Sequence, residues 1–155
     1  MTTPAPQELQ FTIRSANQTL PLVKMIVQDI VALSREVAET RQRLEYLSEG
    51  REASSREDEY SKELTSIEQA TEMKFNDVEQ FIGELSQLGL GTTAVTHGFV
   101  DFPAMRQDEA VCLCWHLGDK EVMYWHGRDE ECSARRLVDL PLIRQSGDRF
   151  YSNQA

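Results

Sequence analysis

Apolar residues recur along the first half of the chain at alternating spacings of four and three. Val23, Val27, Ile30, Ser34, Val37, Arg41, Leu44 and Ser48 form one such seam, the period of a helix packed lengthwise against another. Ile26, Val31 and Leu33 widen its first half. Ser15 or Asn17 is placed to cap this helix, with Pro21 in or just past its first turn, where a missing N–H is tolerated. A helix over 17–48 would span roughly 45–50 Å at ~1.5 Å per residue. Gly50 and the polar stretch 51–56 interrupt the pattern. A second seam follows at Tyr60, Leu64, Ile67, Thr71, Lys74, Val78, Phe81, Leu85 and Leu88, and ends in the glycine stop Leu88-Gly89-Leu90-Gly91. Two seams of matched length about a short turn predict an antiparallel, coiled-coil-like helical hairpin over 17–89. A fold near 50–55 pairs positions whose numbers sum to about 104–105. That sets Leu44 against Tyr60, Val37 against Ile67, Val27 against Val78 and Val23 against Phe81, with Ser34 and Thr71 as a polar layer. Arg41 and Ser48 leave the distal half short of apolar cover, so the hairpin is expected to meet a second copy of itself or to fray at its tip.

Beyond Gly91 the period changes from helical to two. Val95, Gly98-Phe-Val-Asp-Phe102, 110–117 and 121–126 read as short strands, with Pro103 closing one of them. Gly118-Asp119 reads as the turn of a β-hairpin. Alternation puts Cys112, Cys114 and His116 on one face and Val111, Leu113, Trp115 and Leu117 on the other, where they would cover the base of the helices. Across this hairpin Trp115 should lie near Met123. Gln10–Ile13 is a further strand candidate, and 135–141 a candidate edge strand. The fold class is therefore α+β: a long helical hairpin followed by a small antiparallel β-sheet over 95–140. Together they form one domain over 10–140, with a disordered lead at 1–9 and a disordered tail at 141–155.

Composition narrows the choice of function. The net charge is −10, and residues 111–155 hold 7 acidic and 6 basic side chains, so nearly all of it falls on the first 110. An acidic surface repels phosphate backbones, which argues against nucleic acid as a partner. No apolar run approaches the roughly 20 residues of a membrane-spanning helix. The opening residues lack the basic start and apolar middle of a signal peptide. Three cysteines, an odd number without scaffold spacing, suggest reduced thiols and a cytoplasmic setting.

The candidate chemistry lies in 111–126, which holds both tryptophans and two of the three histidines. Cys112, Cys114 and His116 share a strand face, and His126 ends the partner strand. Cys132 and His97 lie within loop reach. Thiolate with imidazole is a ligand set for zinc or related ions, although Cys-x-Cys on a strand converges less readily than Cys-x₂₋₄-Cys in a turn. Free cysteines also serve as small buried apolar groups. Nucleophilic catalysis is the other option, with Cys114 or Cys112 activated by His126 or His97 and Asp101 orienting the base. Parity cannot place Trp115, Tyr124, Trp125, Phe99 and Phe102 all on one face, so some aromatic area, Trp125 foremost, is expected to meet solvent, a ligand or another subunit. Arg135-Arg136 with Arg128 reads as a counter-charge to nearby acidic residues.

Several short segments resemble a prokaryotic family, the domain of unknown function 2203. They are Phe11-Thr12, Ala16-Asn17 and Leu20-Pro21; Gly98-Phe-Val-Asp-Phe-Pro-Ala104; Leu113-Cys-Trp115 with Leu117-Gly118; and Tyr124-Trp-His126. The likeness spans roughly residues 10–137. The chain departs from the family pattern at Arg14-Ser15, where acidic residues are common, and near Glu131-Cys132, where a Gly-aromatic pair is common. The resemblance implies a small protein and supplies no catalytic residues to carry over. The residues favour a non-enzymatic interaction module, a homodimer or other self-association through Val23, Val27, Ile30, Val37, Leu64, Ile67, Val78, Phe81 and Trp125. The alternative is a metal-binding or thiol-dependent protein centred on Cys112, Cys114, His116 and His126, with zinc the candidate ion.

Overall fold

The computed structural model describes residues 10–49 and 59–139; the expected lead, hairpin turn and tail lie outside them. Two helices, α1 (Ile13–Glu49) and α2 (Glu59–Gln87), precede a four-stranded antiparallel sheet of β1 (Phe99–Arg106), β2 (Glu109–His116), β3 (Tyr124–Gly127) and β4 (Arg136–Leu137) in the order β1-β2-β3-β4. No helix among the described residues is long and apolar enough to cross a membrane.

α1 starts earlier than its periodicity suggests. Gln10–Ile13 is not a strand: the Phe11 N–H donates to the Pro103 carbonyl, and the helix begins two residues later. The cap is Thr12, not Ser15 or Asn17. Its hydroxyl accepts the Ser15 N–H at 3.0 Å while the Ser15 hydroxyl accepts the Thr12 N–H at 2.8 Å, a reciprocal pair that satisfies two otherwise orphan donors. Pro21 consequently lies inside the helix, where it leaves the Asn17 carbonyl without its usual donor. α2 ends as its glycine stop predicts. Gly89, at φ 89°, lets its own N–H reach the Ser86 carbonyl and the Leu90 N–H reach that of Leu85, and Leu85 and Leu90 are both buried. That bond pattern makes a left-handed helix stop.

The helices run antiparallel. Glu36 meets Lys74 at 3.2 Å and Arg41 meets Glu72 at 3.7 Å, and Arg41 also lies 4.8 Å over the Phe75 ring. Two of the polar seam positions are thus bridged by exposed ion pairs, each worth about 0–1 kcal/mol. The bridged pairs run past the 104–105 sum because side chains lean toward their own helix's N-terminus, and in an antiparallel pair the two leans add. The expected Ser34–Thr71 layer does not close: the Thr71 hydroxyl turns back to the Ile67 carbonyl at 2.7 Å, and Ser34 Oγ is buried without a hydrogen-bond partner. Val23, Val27, Ile30 and Val78 enter the core cluster, and Val37 is buried.

Val100, Phe102, Val111, Leu113 and Trp115 complete the core from the sheet, on the face that alternation assigns to the helices. β1 and β2 meet across a two-residue turn, Gln107-Asp108, with both φ values positive (49° and 66°), the mirror-image turn that suits strand twist. Three sequence readings are corrected. Pro103 does not close a strand but lies within β1, at the sheet edge, where no ladder donor is required of it. Val95 belongs to a 3₁₀ turn, Val95–His97. Gly118-Asp119 turns locally, with the Asp119 N–H on the His116 carbonyl, but pairing with β3 starts only at Cys114–Tyr124.

The chain between them dips to Val122, which is buried and clamped by Asn17. The Val122 N–H donates to Asn17 Oδ1 at 2.6 Å, and Asn17 Nδ2 donates to the Val122 carbonyl at 3.2 Å. One side-chain amide thus gives a loop residue the two bonds a neighbouring strand would supply, and ties the sheet to the helix. Asn17→Ala is expected to lower the unfolding free energy by about 2 kcal/mol, the scale for orphaning two buried backbone groups. Urea unfolding checks this; a shift no larger than that of an exposed control such as Asp29→Ala would refute the clamp.

Candidate metal centre

The outer face of the sheet, turned away from the helices, carries the chemistry. Directly opposed residues in an antiparallel sheet share a face. The register pairs Asp101 with Cys114, Cys114 with Tyr124, and Cys112 with His126, so Asp101, Cys112, Cys114 and His126 all project outward. After β3 the chain returns over this face through a 3₁₀ turn, Cys132–Ala134. The turn is pinned on both sides: Glu130 accepts the Gly127 N–H at 2.7 Å and pairs with Arg136, and Arg135 donates to Asp119 Oδ2 at 2.6 Å.

This return brings Cys132 onto the sheet. The carboxylate of Asp101, the thiols of Cys114 and Cys132 and a ring nitrogen of His126 all lie within 4.8 Å of one another. Cys114 is fully buried and His126 2% exposed, while Asp101 and Cys132 are partly open. His126 is held rigidly, with Nδ1 2.8 Å from the Gly127 carbonyl and Nε2 2.9 Å from Asp101 Oδ1. Both neighbours are acceptors. A ring with one proton satisfies only one of them, and the other requires a second proton or an ion shared with the carboxylate. A histidine whose Nδ1–H is fixed by a backbone carbonyl presents Nε2 as a metal-ligating atom.

Asp101 is positioned through its backbone. Its N–H and carbonyl exchange bonds with Gly91 at 3.1 and 2.8 Å, and a Cβ at Gly91 would come within 3.2 Å of the Asp101 Cβ. The glycine permits that close approach.

Burial pushes the Cys114 thiol far above its ordinary value of 9.0, and the Asp101 carboxylate and Cys132 add to the shift. Cys132 moves the same way, again mainly through burial and then Asp101. Thiols held protonated are poor nucleophiles at neutral pH, which opposes activation of Cys114 by His126. His97 lines a cleft of about 540 Å³ over the cluster, together with Asp101, His126 and Cys132.

Cys112 and His116 lie outside the group of four. Cys112 opens instead onto a neighbouring cleft of about 520 Å³, and His116 packs on the Phe99 ring at 4.2 Å. Asp101 is the member that spacing along the chain could not assign to a ligand role; the period-two pattern from Phe99 to Pro103 was the available signal. Of the residues proposed for interaction, Val23, Val27, Ile30, Val37 and Val78 are buried within the chain, Leu64 and Phe81 are half-buried and Ile67 is 38% exposed. Trp125 is buried as well: it pairs with Leu113 and belongs to the core cluster, and Arg106 and Arg136 lie over its ring at 4.7 and 4.3 Å.

The family model for an uncharacterized conserved protein, DUF2203, matches residues 10–138. The chain belongs to this family. Comparison with curated proteins and with solved structures gave no match. In this DUF2203 chain the matched span includes both helices, the four strands and all four members of the cluster.

The thiols make stability depend on pH. Their folded-state values are raised, so the protonated form is favoured on folding. That contribution is complete below the ordinary value of 9.0 and is lost as pH rises beyond it. For the reduced, metal-free protein the urea midpoint is expected to fall above about pH 9, and Cys114→Ser to flatten that fall. An identical slope in the variant would contradict the assignment.

Proposed function

We propose that the protein binds a divalent transition metal through Asp101, Cys114, His126 and Cys132, with zinc the ion that best suits the set. The observation that carries this reading is the convergence of two sulfurs, one imidazole nitrogen and one carboxylate oxygen within 4.8 Å. Two thiolates with imidazole and carboxylate match the donors of four-coordinate zinc. Bonds of ~2.0–2.3 Å set tetrahedral ligand atoms about 3.3–3.8 Å apart, so a contraction of about 1 Å would complete the site. Simple packing of buried cysteines accounts for Cys114 alone. It gives no reason for a carboxylate and a histidine to face two thiols. An ion there joins β1, β2 and β3 to the return loop, a structural tie with one side open to the cleft. The three thiols are free of disulfides, in keeping with a reducing, cytoplasmic setting.

Elemental analysis of purified protein is expected to find roughly one zinc per chain, and chelation to lower Tm. Cys114→Ser, Cys132→Ser and His126→Gln each reduce occupancy at least about tenfold, whereas Cys112→Ser and His116→Gln retain it. Undiminished metal in Cys114→Ser, or no uptake from added zinc, would defeat the proposal.

A second reading concerns the helices. Leu64 is half-buried and Ile67 and Met73 are 38% and 69% exposed, so α1 leaves part of the distal apolar surface of α2 uncovered. We propose that a second copy of the hairpin covers it, giving a homodimer. Sedimentation at micromolar concentration should show a dimer that Ile67→Glu dissociates; a monomer at every concentration would reject this.

A further inference from the structure

The two cysteines of the cluster differ in access. Cys132 lines the cleft from the return loop, whereas Cys114 lies beneath it, fully buried on the central strand β2. Their sulfurs lie within 4.8 Å of each other. Glu131–Ala134 is closed by two local turn bonds, Ala134 N–H to the Glu131 carbonyl and Arg135 N–H to that of Cys132. A short turn of this kind can move as a unit between its anchors at Glu130 and Arg135. β2 cannot, because it is paired on both sides. A disulfide needs its sulfurs about 2.05 Å apart, and here the approach falls to Cys132 on the turn. The pair is therefore built asymmetrically, with one sulfur presented to solutes and one waiting behind it.

We infer that Cys114 and Cys132 are a hydroperoxide-sensitive dithiol that holds the metal when reduced and releases it when oxidised. The inference rests on the metal reading above and assigns that site its regulation. Held as a thiolate by the ion, the Cys132 sulfur attacks one oxygen of hydrogen peroxide; the S–O bond forms, the O–O bond breaks, and the hydroxide that leaves takes a proton from solvent. The Cys114 thiolate then attacks the Cys132 sulfur; the S–S bond forms, the S–O bond breaks, and the second hydroxide takes a proton from solvent and departs as water. Two electrons pass from the sulfurs to the peroxide, and the ion keeps its 2+ charge. Asp101 and His126 alone are too few ligands to retain zinc at neutral pH. A thiol reductant reverses the bond and restores the site. Cys112, on the same sheet face, opens onto a different cleft and stays out of the reaction, which makes it an internal control.

The test uses the full zinc-loaded chain treated with hydrogen peroxide. Freed zinc is followed with a chromogenic chelator, and disulfides are mapped in parallel by mass spectrometry of unreduced peptides. Expected are loss of two hydrogens in mass, a Cys114–Cys132 linked peptide and release of roughly one zinc per chain, all reversed by dithiothreitol. Cys112→Ser responds as the natural chain does. The wild-type peptide map decides the matter even where Cys132→Ser folds poorly. Zinc bound but no linked peptide, or a linkage through Cys112, overturns the dithiol while leaving the metal reading standing. A linked peptide in a chain that takes up no zinc overturns the metal reading and the coupling together.

Discussion

Period-two alternation along β2 sends Val111, Leu113 and Trp115 under the helical hairpin and turns Cys112, Cys114 and His116 the other way. One strand thereby serves a dry interface and a polar one at once, and no slip of register by one residue could preserve either. The pairing Asp101–Cys114–Tyr124 transmits this constraint to both neighbours. Once Leu113 is committed to the core, the outward direction of Asp101 and His126 follows. The outer face is therefore a geometric consequence of hydrophobic burial on the inner one.

Two kinds of polar contact hold this arrangement in place. On the inner side Asn17 acts as a substitute strand for Val122, so the connection after β2 is fastened to α1 rather than left as a surface loop. On the outer side the return loop is fixed by charge: Glu130 to Gly127 and Arg136, and Arg135 to Asp119. Arginine planes over Trp125 and Tyr124 shield aromatic area that the small sheet is too narrow to enclose. Between these anchors sits Cys132. It is the one member of the cluster contributed by the return loop rather than by a paired strand.

The cluster and the hairpin pose different physical problems. Potential anions gathered under burial are unfavourable unless protons or a cation compensate them, and burial first, then Asp101, raises both thiols. The hairpin has the opposite difficulty. Its proximal half is sealed by the sheet, whereas its distal half buries Val37 and Leu44, adds exposed ion pairs such as Glu36–Lys74 and leaves Met73 in solvent. A long two-helix arm has too little interior of its own, and the gradient of burial along it follows from where the sheet stops.

Heptad spacing was enough to determine two long helices and the glycine stop at Gly89, because those features depend on local period and on a backbone conformation that few residues adopt. Alternation was likewise enough to assign the two faces of β2. The start of α1 was not legible, because Gln10–Ile13 also fits a strand period, whereas the chain uses Thr12 and Ser15 as a reciprocal cap and gives the Phe11 N–H to Pro103. The wide connection to β3 was hidden too, since Gly118-Asp119 carries a good local turn signal and only the long-range bond to Asn17 overrules it. Among the candidate ligands, Cys114 and His126 could be read from parity, and Cys112 and His116 share that same parity. Choosing between them required the third dimension. A strand face tells which way a side chain points, whereas convergence on a single point depends on which loop returns over that face, and here the return of Cys132 selects Cys114, His126 and Asp101.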